Sequence, residues 1–224
     1  MNIDLSNWTP RPRPTREVLE GRFVRLEPLD PEKHGDGLYA VSAVPDAAQR
    51  FRWLGEHPPA DRAQFQDWLA GVAAKADPFF HVVLDQRTDV VGGRQALMRI
   101  DQANGVIEIG SIYWGPGLSR NRGATEAFYL AACHVFERLG YRRLEWKCNA
   151  ANEPSRKAAK RFGFAFEGLF RQHMVVKGEN RDTAWFAMLD HEWPYLKRAF
   201  AAWLDPANFD KEGRQKQRLE ELRR

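Results

Sequence analysis

No apolar run in this chain approaches the roughly eighteen residues that a membrane-spanning helix requires, and the first sixteen residues lack the continuous hydrophobic core of a secretory signal. The expectation is a soluble, cytoplasmic protein. Cysteine is scarce: Cys133 and Cys148 are the only two, and they fall in segments that read as a helix and a strand. There is no CxxC pair and no Cys/His cluster at ligand spacing, so reduced core thiols are expected and no metal is. The histidines, His34, His57, His81, His134, His173 and His191, are scattered without convergent partners, which fits structural roles. Internal repeats and low-complexity segments are also missing. Charge of one sign is not dominant, since 34 basic residues face 30 acidic ones for a net +4. A pI near 9.2 suits an anionic ligand. It does not demand nucleic acid, because part of the excess sits in one terminal tail.

What is present is ordinary globular composition, 43% hydrophobic and 29% charged over 224 residues, enough for one core and short for two. Residues 1–21 carry Pro10, Pro12 and Pro14 among arginines, which forbids helix and predicts an extended arm. Residues 22–204 form the predicted domain. Residues 205–224 make a charged tail, read as a solvated helix.

Within the domain, Phe23-Val24-Arg25-Leu26-Glu27 alternates as a half-buried strand does, and Asp30-Pro31-Glu32 opens a helix with a capping residue and an early proline. Phe65, Trp68, Leu69 and Val72 recur at helical spacing. Residues 79–84, 90–100 and 106–114 then read as three strands. A helix from Ala124 ends at Gly140, a strand carries Leu144, Trp146 and Cys148, and a short helix from Glu153 closes at Gly163. Two strands around Lys177-Gly178-Glu179-Asn180 and a terminal helix with Trp193, Leu196, Phe200 and Trp203 complete the order. This order specifies an α/β (α+β) fold: a mixed, mostly antiparallel sheet of six to seven strands with helices on both faces.

The informative stretch lies between Glu108 and Phe164. A strand ending at Trp114 enters the loop Gly115-Pro116-Gly117-Leu118-Ser119-Arg120-Asn121-Arg122-Gly123, which runs straight into the helix at Ala124-Thr125-Glu126. Free backbone N–H groups and the positive end of the helix dipole make such a junction an anion site, although a lone glycine loop is more often only a turn.

Taken together, Ile107-Glu108-Ile109-Gly110, the loop into Ala124-Thr125-Glu126-Ala127, Asn152-Glu153-Pro154-Ser155 and Phe162-Gly163-Phe164 resemble the GNAT superfamily. The resemblance is to its ribosomal-protein N-acetyltransferase-like (RimJ/RimL-type) branch, over roughly residues 22–190. It implies a GNAT fold with splayed central strands, acetyl-CoA as co-substrate, and acetyl transfer to a primary amine on a protein N-terminus or a small molecule. By the same resemblance, the amides of Ser119, Arg120, Asn121, Arg122, Gly123, Ala124 and Thr125 hold pyrophosphate. Main chain at Ile112 and Tyr113 holds pantetheine, and Asn152 and Ser155 line the thioester end. One departure stands out: Arg120 and Arg122 occupy positions where the family usually has glycine. Two alignments of the loop remain open, one anchored on Ala124-Thr125-Glu126-Ala127 and one on Arg120-Asn121-Arg122-Gly123.

Acetyl transfer needs a neutral amine, donors for the developing oxyanion and stabilisation of the departing thiolate. Glu108, on an apolar strand face, is the expected general base, with a structural ion pair as the equal alternative. Ser155 and Tyr113 are the candidates at the sulfur, with Tyr129 behind them. Trp114 and Trp185, together with Trp53, are candidates for the acceptor pocket, and residues 180–185 for acceptor selection. Arg156 with Lys160, or Lys157 with Arg161, stand one turn apart and could reach the 3′-phosphate of CoA. A monomer or homodimer is expected, with no membrane or nucleic-acid partner. Two other readings compete: an acyl-CoA sensor without turnover, and a ribosome- or RNA-associated protein using its basic tail.

Overall fold

The computed structural model describes residues 4–223. Its order is β1 (Leu19–Glu20), β2 (Val24–Pro28), α1 (Pro31–Ser42), α2 (Ala47–Arg50), α3 (Arg62–Ala73), β3 (Phe79–Asp85), β4 (Val91–Asp101), β5 (Val106–Trp114), α4 (Arg122–Cys133), β6 (Arg143–Asn149), α5 (Glu153–Phe162), β7 (Ala165–Val176), β8 (Glu179–Leu189) and α6 (Trp193–Leu204). The helix boundaries follow capping chemistry. Asp30 accepts hydrogen bonds from the amides of Glu32 and Lys33 to start α1, and Asn152 accepts from Ser155 to start α5. Gly163 ends α5 at φ 100°, and Gly140 takes φ 71° after α4 and its π-helical extension, His134–Arg138. Both are left-handed conformations that only glycine adopts without strain.

The strands form one sheet in the order β1-β2-β3-β4-β5-β6-β8-β7, with eight strands where the sequence predicts six to seven. The extra member is the two-residue β1, too short to show periodicity. All neighbours are antiparallel except β5 and β6. Pleating sends alternate residues to opposite faces. Thus Val82 and Leu84 meet Leu38 and Leu69 of α1 and α3, while Val83 and Leu97 belong to the larger core built with Phe128, Phe162 and Phe200 of α4, α5 and α6. The Phe128 and Phe162 rings stack at 4.4 Å. Glu126, buried on α4, accepts hydrogen bonds from the amides of Arg22, Phe23 and Val24 at 2.6–2.9 Å, so one carboxylate fixes the start of β2 against the helix.

The tail corrects a sequence expectation. In place of a solvated helix, residues 205–223 form a short 3₁₀ turn, Pro206–Asn208, followed by turns folded back onto the domain. Asn208 is the reason: its side chain donates to the carbonyls of Trp203 and Gln217 and accepts from the Gln217 amide, satisfying backbone groups that a helix would use internally. Leu219 is fully buried beneath. Among the described residues no helix is long and apolar enough to cross a membrane.

Candidate active site

The β5–β6 ladder pairs only Val106 with Arg143, Ile107 with Leu144 and Glu108 with Glu145. Beyond Glu108 the strands diverge, and the facing edges of both have no ladder partner. The divergence has a local cause. Ser111 takes φ 47° in a bulge where the β4–β5 register shifts, and buried Arg94 donates to the Ser111 carbonyl at 3.0 Å. Arg94 is itself held by an ion pair with Glu56 and by stacking over Trp68 at 4.6 Å. The splay expected from the family resemblance is present, with Ile112 and Tyr113 on its free β5 side.

At the wide end of this gap, the loop after Trp114 meets the start of α4. Some of its amides are already used. Ser119 donates to the Gly115 carbonyl, Asn121 to that of Leu118, and Ala124 to the Asn121 side chain, which caps the helix. The amides of Arg120, Arg122 and Gly123 have no partner among the described residues. The predicted run of seven donors therefore narrows to a smaller set at the helix tip. Arg120 adopts φ 62°, the left-handed conformation that explains why glycine suits this position. Gly123 is required by packing: a Cβ there would lie 2.9 Å from Val24 Cγ1 and 3.1 Å from Asn121 Oδ1.

Cations without carboxylate partners surround this tip. Arg122 stacks over Phe23 at 4.2 Å, and neither Arg120, Arg122 nor Arg161 forms an ion pair among the described residues. Arg161 reaches from α5 to donate to Thr125 Oγ1 at 3.0 Å and lies over Trp203 at 4.8 Å. Burial lowers its pKa below the usual guanidinium value. Of the two basic pairs noted on α5, Lys157 is engaged by Glu153 at 2.9 Å, and Arg156 bonds the Ala150 carbonyl.

At the narrow end, Glu108 is buried as the sequence suggests, but the face is charged. Arg99 Nη1 lies 2.8 Å and Lys147 Nζ 3.1 Å from the same oxygen, Oε2. Lys147 also contacts Glu145 at 2.6 Å. The ion-pair alternative is therefore present in the geometry. Among the described residues Oε1 accepts no hydrogen bond, and it lies beside Gly110 next to the Met98 sulfur, where a Cβ on Gly110 would approach the two to 3.1 Å and 2.8 Å. One oxygen anchors, and the other is left available.

Across the gap, Ser155 Oγ accepts a hydrogen bond from Trp146 Nε1 at 2.9 Å, and its own hydroxyl hydrogen can turn to the neighbouring Cys148 sulfur or to a ligand. Tyr113 is corrected as the group at the sulfur. Its hydroxyl donates to the Val41 carbonyl at 2.6 Å, and its ring packs on Phe51 at 4.7 Å, on the α1 side of the sheet. Burial raises its pKa, so the proton is held more firmly. Tyr129 packs against Phe200 and Trp193 in the core, with its pKa also raised by burial.

A cleft of about 350 Å³ opens beside the end of β6, lined by Arg52, Trp53, His57, Asn149, Lys177 and Arg181 among others. Lys177, at the β7–β8 hairpin tip, donates to the Phe51 carbonyl at 2.8 Å and ties the hairpin to the α2 segment. The two tryptophans proposed for acceptor binding do not line this cleft, although Trp185 stays beside the Lys147–Glu108 pair. Trp114 turns toward Phe162 in the α4 core, and Trp185 sits under Lys147 at 3.8 Å and against Phe170. Trp53 and the residues Asn180 and Arg181 do line the cleft. The short α2, without a full turn of apolar spacing, carries no sequence signal for the wall it builds. Among the described residues no cluster of three or more His, Cys, Asp or Glu is disposed to hold a metal ion.

The pattern of the acetyltransferase (GNAT) domain matches residues 24–165. The structure superposes with a TM-score of 0.96 on the crystal structure of a GCN5-related N-acetyltransferase from Brucella melitensis, at 63% identity, covering 98% of this chain and 99% of that one. An uncharacterized N-acetyltransferase, p20, of Bacillus licheniformis is 33% identical over 151 residues, 63% of this chain and 81% of that protein. A likeness of fold alone links this chain to the Salmonella typhimurium acetyltransferase that modifies the N-terminal serine of 50S ribosomal subunit protein L7/L12, at 18% identity and a TM-score of 0.67, covering 77% of this chain and 99% of that one.

Proposed function

Since the chain belongs to the GNAT acetyltransferase family and is an acyltransferase, we propose that it moves acetyl from acetyl-CoA to a primary amine, on a protein N-terminus or a small molecule, in the cytoplasm. One observation carries this reading: the β5–β6 ladder stops at Glu108 while the amides of Arg120, Arg122 and Gly123, at the mouth of the gap it leaves, have no partner among the described residues. A diphosphate fits the helix tip by its amides and dipole, and Arg122 and Arg161 supply unpaired positive charge beside it. Unpaired main chain near Ile112 and Tyr113 suits the amide groups of a pantetheine arm. Acetyl-CoA supplies an activated thioester, whose acetyl carbon accepts the amine and whose sulfur departs.

The remaining work falls to this chain. Glu108 Oε1, directly or through one water, takes the proton that the amine sheds on forming its new C–N bond. Arg99 and Lys147 hold the other oxygen and keep the carboxylate from turning away. Ser155, oriented by Trp146, donates a hydrogen bond to the departing sulfur. Backbone N–H groups on the free edge of β5 face the carbonyl oxygen as charge develops on it. Calorimetric titration with CoA, followed by thiol-release assays over an amine panel, tests the proposal. Absence of binding at millimolar CoA would end it.

A further inference from the structure

The cleft beside β6 has a charge imbalance that bears on the acceptor, and this step rests on the acetyl-transfer reading above. Three of its lining residues, Arg52, Lys177 and Arg181, are cationic, and Glu179 is the one carboxylate among them. Lys177 is spent on the Phe51 carbonyl. The two arginines are not spent. Arg52 stacks over Trp53 at 4.6 Å, which fixes its plane, and it has no carboxylate within ion-pairing reach among the described residues. Arg181 donates through Nε to Thr183 Oγ1 at 3.2 Å, and its two terminal nitrogens have no protein partner among the described residues. Burial draws the Arg181 pKa below the usual guanidinium value, with the charge of nearby Glu108 opposing the shift without forming an ion pair.

A half-buried guanidinium with one nitrogen anchored and its other two free has the geometry that receives a carboxylate in a two-point contact. On the amine side of the same region, Glu108 offers its free oxygen. We propose that the acceptor is an amine that also carries a carboxylate, its anionic end held by Arg181 and Arg52 in the cleft while its amine points into the gap toward Glu108. The carboxylate can be that of a free amino acid or an acidic side chain next to a peptide N-terminus.

The test compares matched acceptors on the full chain. One arm sets free α-amino acids against their carboxamides. The other sets short peptides with Asp or Glu at the second position against the same peptides with Asn or Gln. The expected result is a kcat/KM roughly tenfold or more higher for the carboxylate member in at least one arm, as befits a charge-assisted contact, with that preference lost in Arg181→Gln and weakened in Arg52→Gln. The arm that discriminates identifies the source of the carboxylate. Equal rates within every pair, or a preference that survives both substitutions, overturns the proposal. Binding of the same pairs to the CoA-loaded protein is measured in parallel. If no amine releases thiol, the transfer reading fails, and the acceptor proposal is still decided by whether the carboxylate member binds more tightly in an Arg181-dependent way.

Discussion

Replacing Glu108 with glutamine keeps the shape of the side chain and removes its charge, and the structure sets the size of two separable effects. The first is on stability. The Lys147 side chain is only 4% exposed and loses one of its two acidic neighbours, but Glu145 remains 2.6 Å away. The lysine is therefore not orphaned, and the cost should stay below the roughly 3–5 kcal/mol typical of an uncompensated buried charge. About 1–2 kcal/mol is expected, a drop in Tm of roughly 2–8 °C for a chain of this length. The second effect is on rate. Loss of a positioned general base lowers kcat by about 10²–10⁴-fold, with the affinity for CoA unchanged because Glu108 lies at the opposite end of the gap from the α4 tip. Glu145→Gln is the comparison. It disturbs the same lysine, and also Arg143, which contacts Glu145 at 2.7 Å, yet it leaves Glu108 Oε1 free. Thermal melts, CoA titration and saturating-substrate kinetics on both variants decide the matter. If the two lower kcat equally, or if Glu108→Gln costs only a few-fold, the carboxylate is a structural ion-pair member and the assignment of base is wrong.

Three further outcomes follow from particular contacts. Gly123→Val should weaken CoA binding by at least tenfold, read by calorimetry, because the new side chain meets Val24 Cγ1 and the capping Asn121 and must displace the helix tip; unchanged affinity would remove that tip from the binding site. Trp146→Phe should lower kcat more than it raises KM, since Ser155 loses the indole donor that orients it; an unaltered kcat would take Ser155 out of the reaction. Burial depresses the pKa of His81 from 6.5 to about 3, so the unfolded chain binds a proton that the folded one refuses throughout that window. Stability should fall as pH drops from about 6.5 toward 3, with a slope of up to about 1.4 kcal/mol per pH unit from this proton. Urea midpoints in His81→Leu should show a shallower decline, and an identical slope would contradict the assignment.

Local chemistry makes most of the architecture legible in the sequence alone. Asp30, Asn152, Gly140 and Gly163 punctuate helices by capping and left-handed geometry, and alternation in Leu144-Glu145-Trp146-Lys147-Cys148 marks a strand whatever it pairs with. The illegible parts depend on partners distant in sequence. Nothing near Glu108 shows that Arg99 and Lys147 flank it, because they arrive through the registers of β4 and β6. Tyr113 looks as reactive as any tyrosine until the Val41 carbonyl is found at its hydroxyl. The tail, strongly charged and read as a helix for that reason, follows Asn208 and the buried Leu219 instead.

The brevity of the contact between β5 and β6 has a mechanical consequence. Among the described residues three pairs are all the ladder that joins β1–β5 to β6–β8, so on the open side the two halves of the sheet are held by side-chain packing and not by main-chain bonds. A guest whose own amides bond to both lips would act as a ninth strand. It would stiffen the joint and slow amide exchange in β5 and β6, well beyond the atoms it touches.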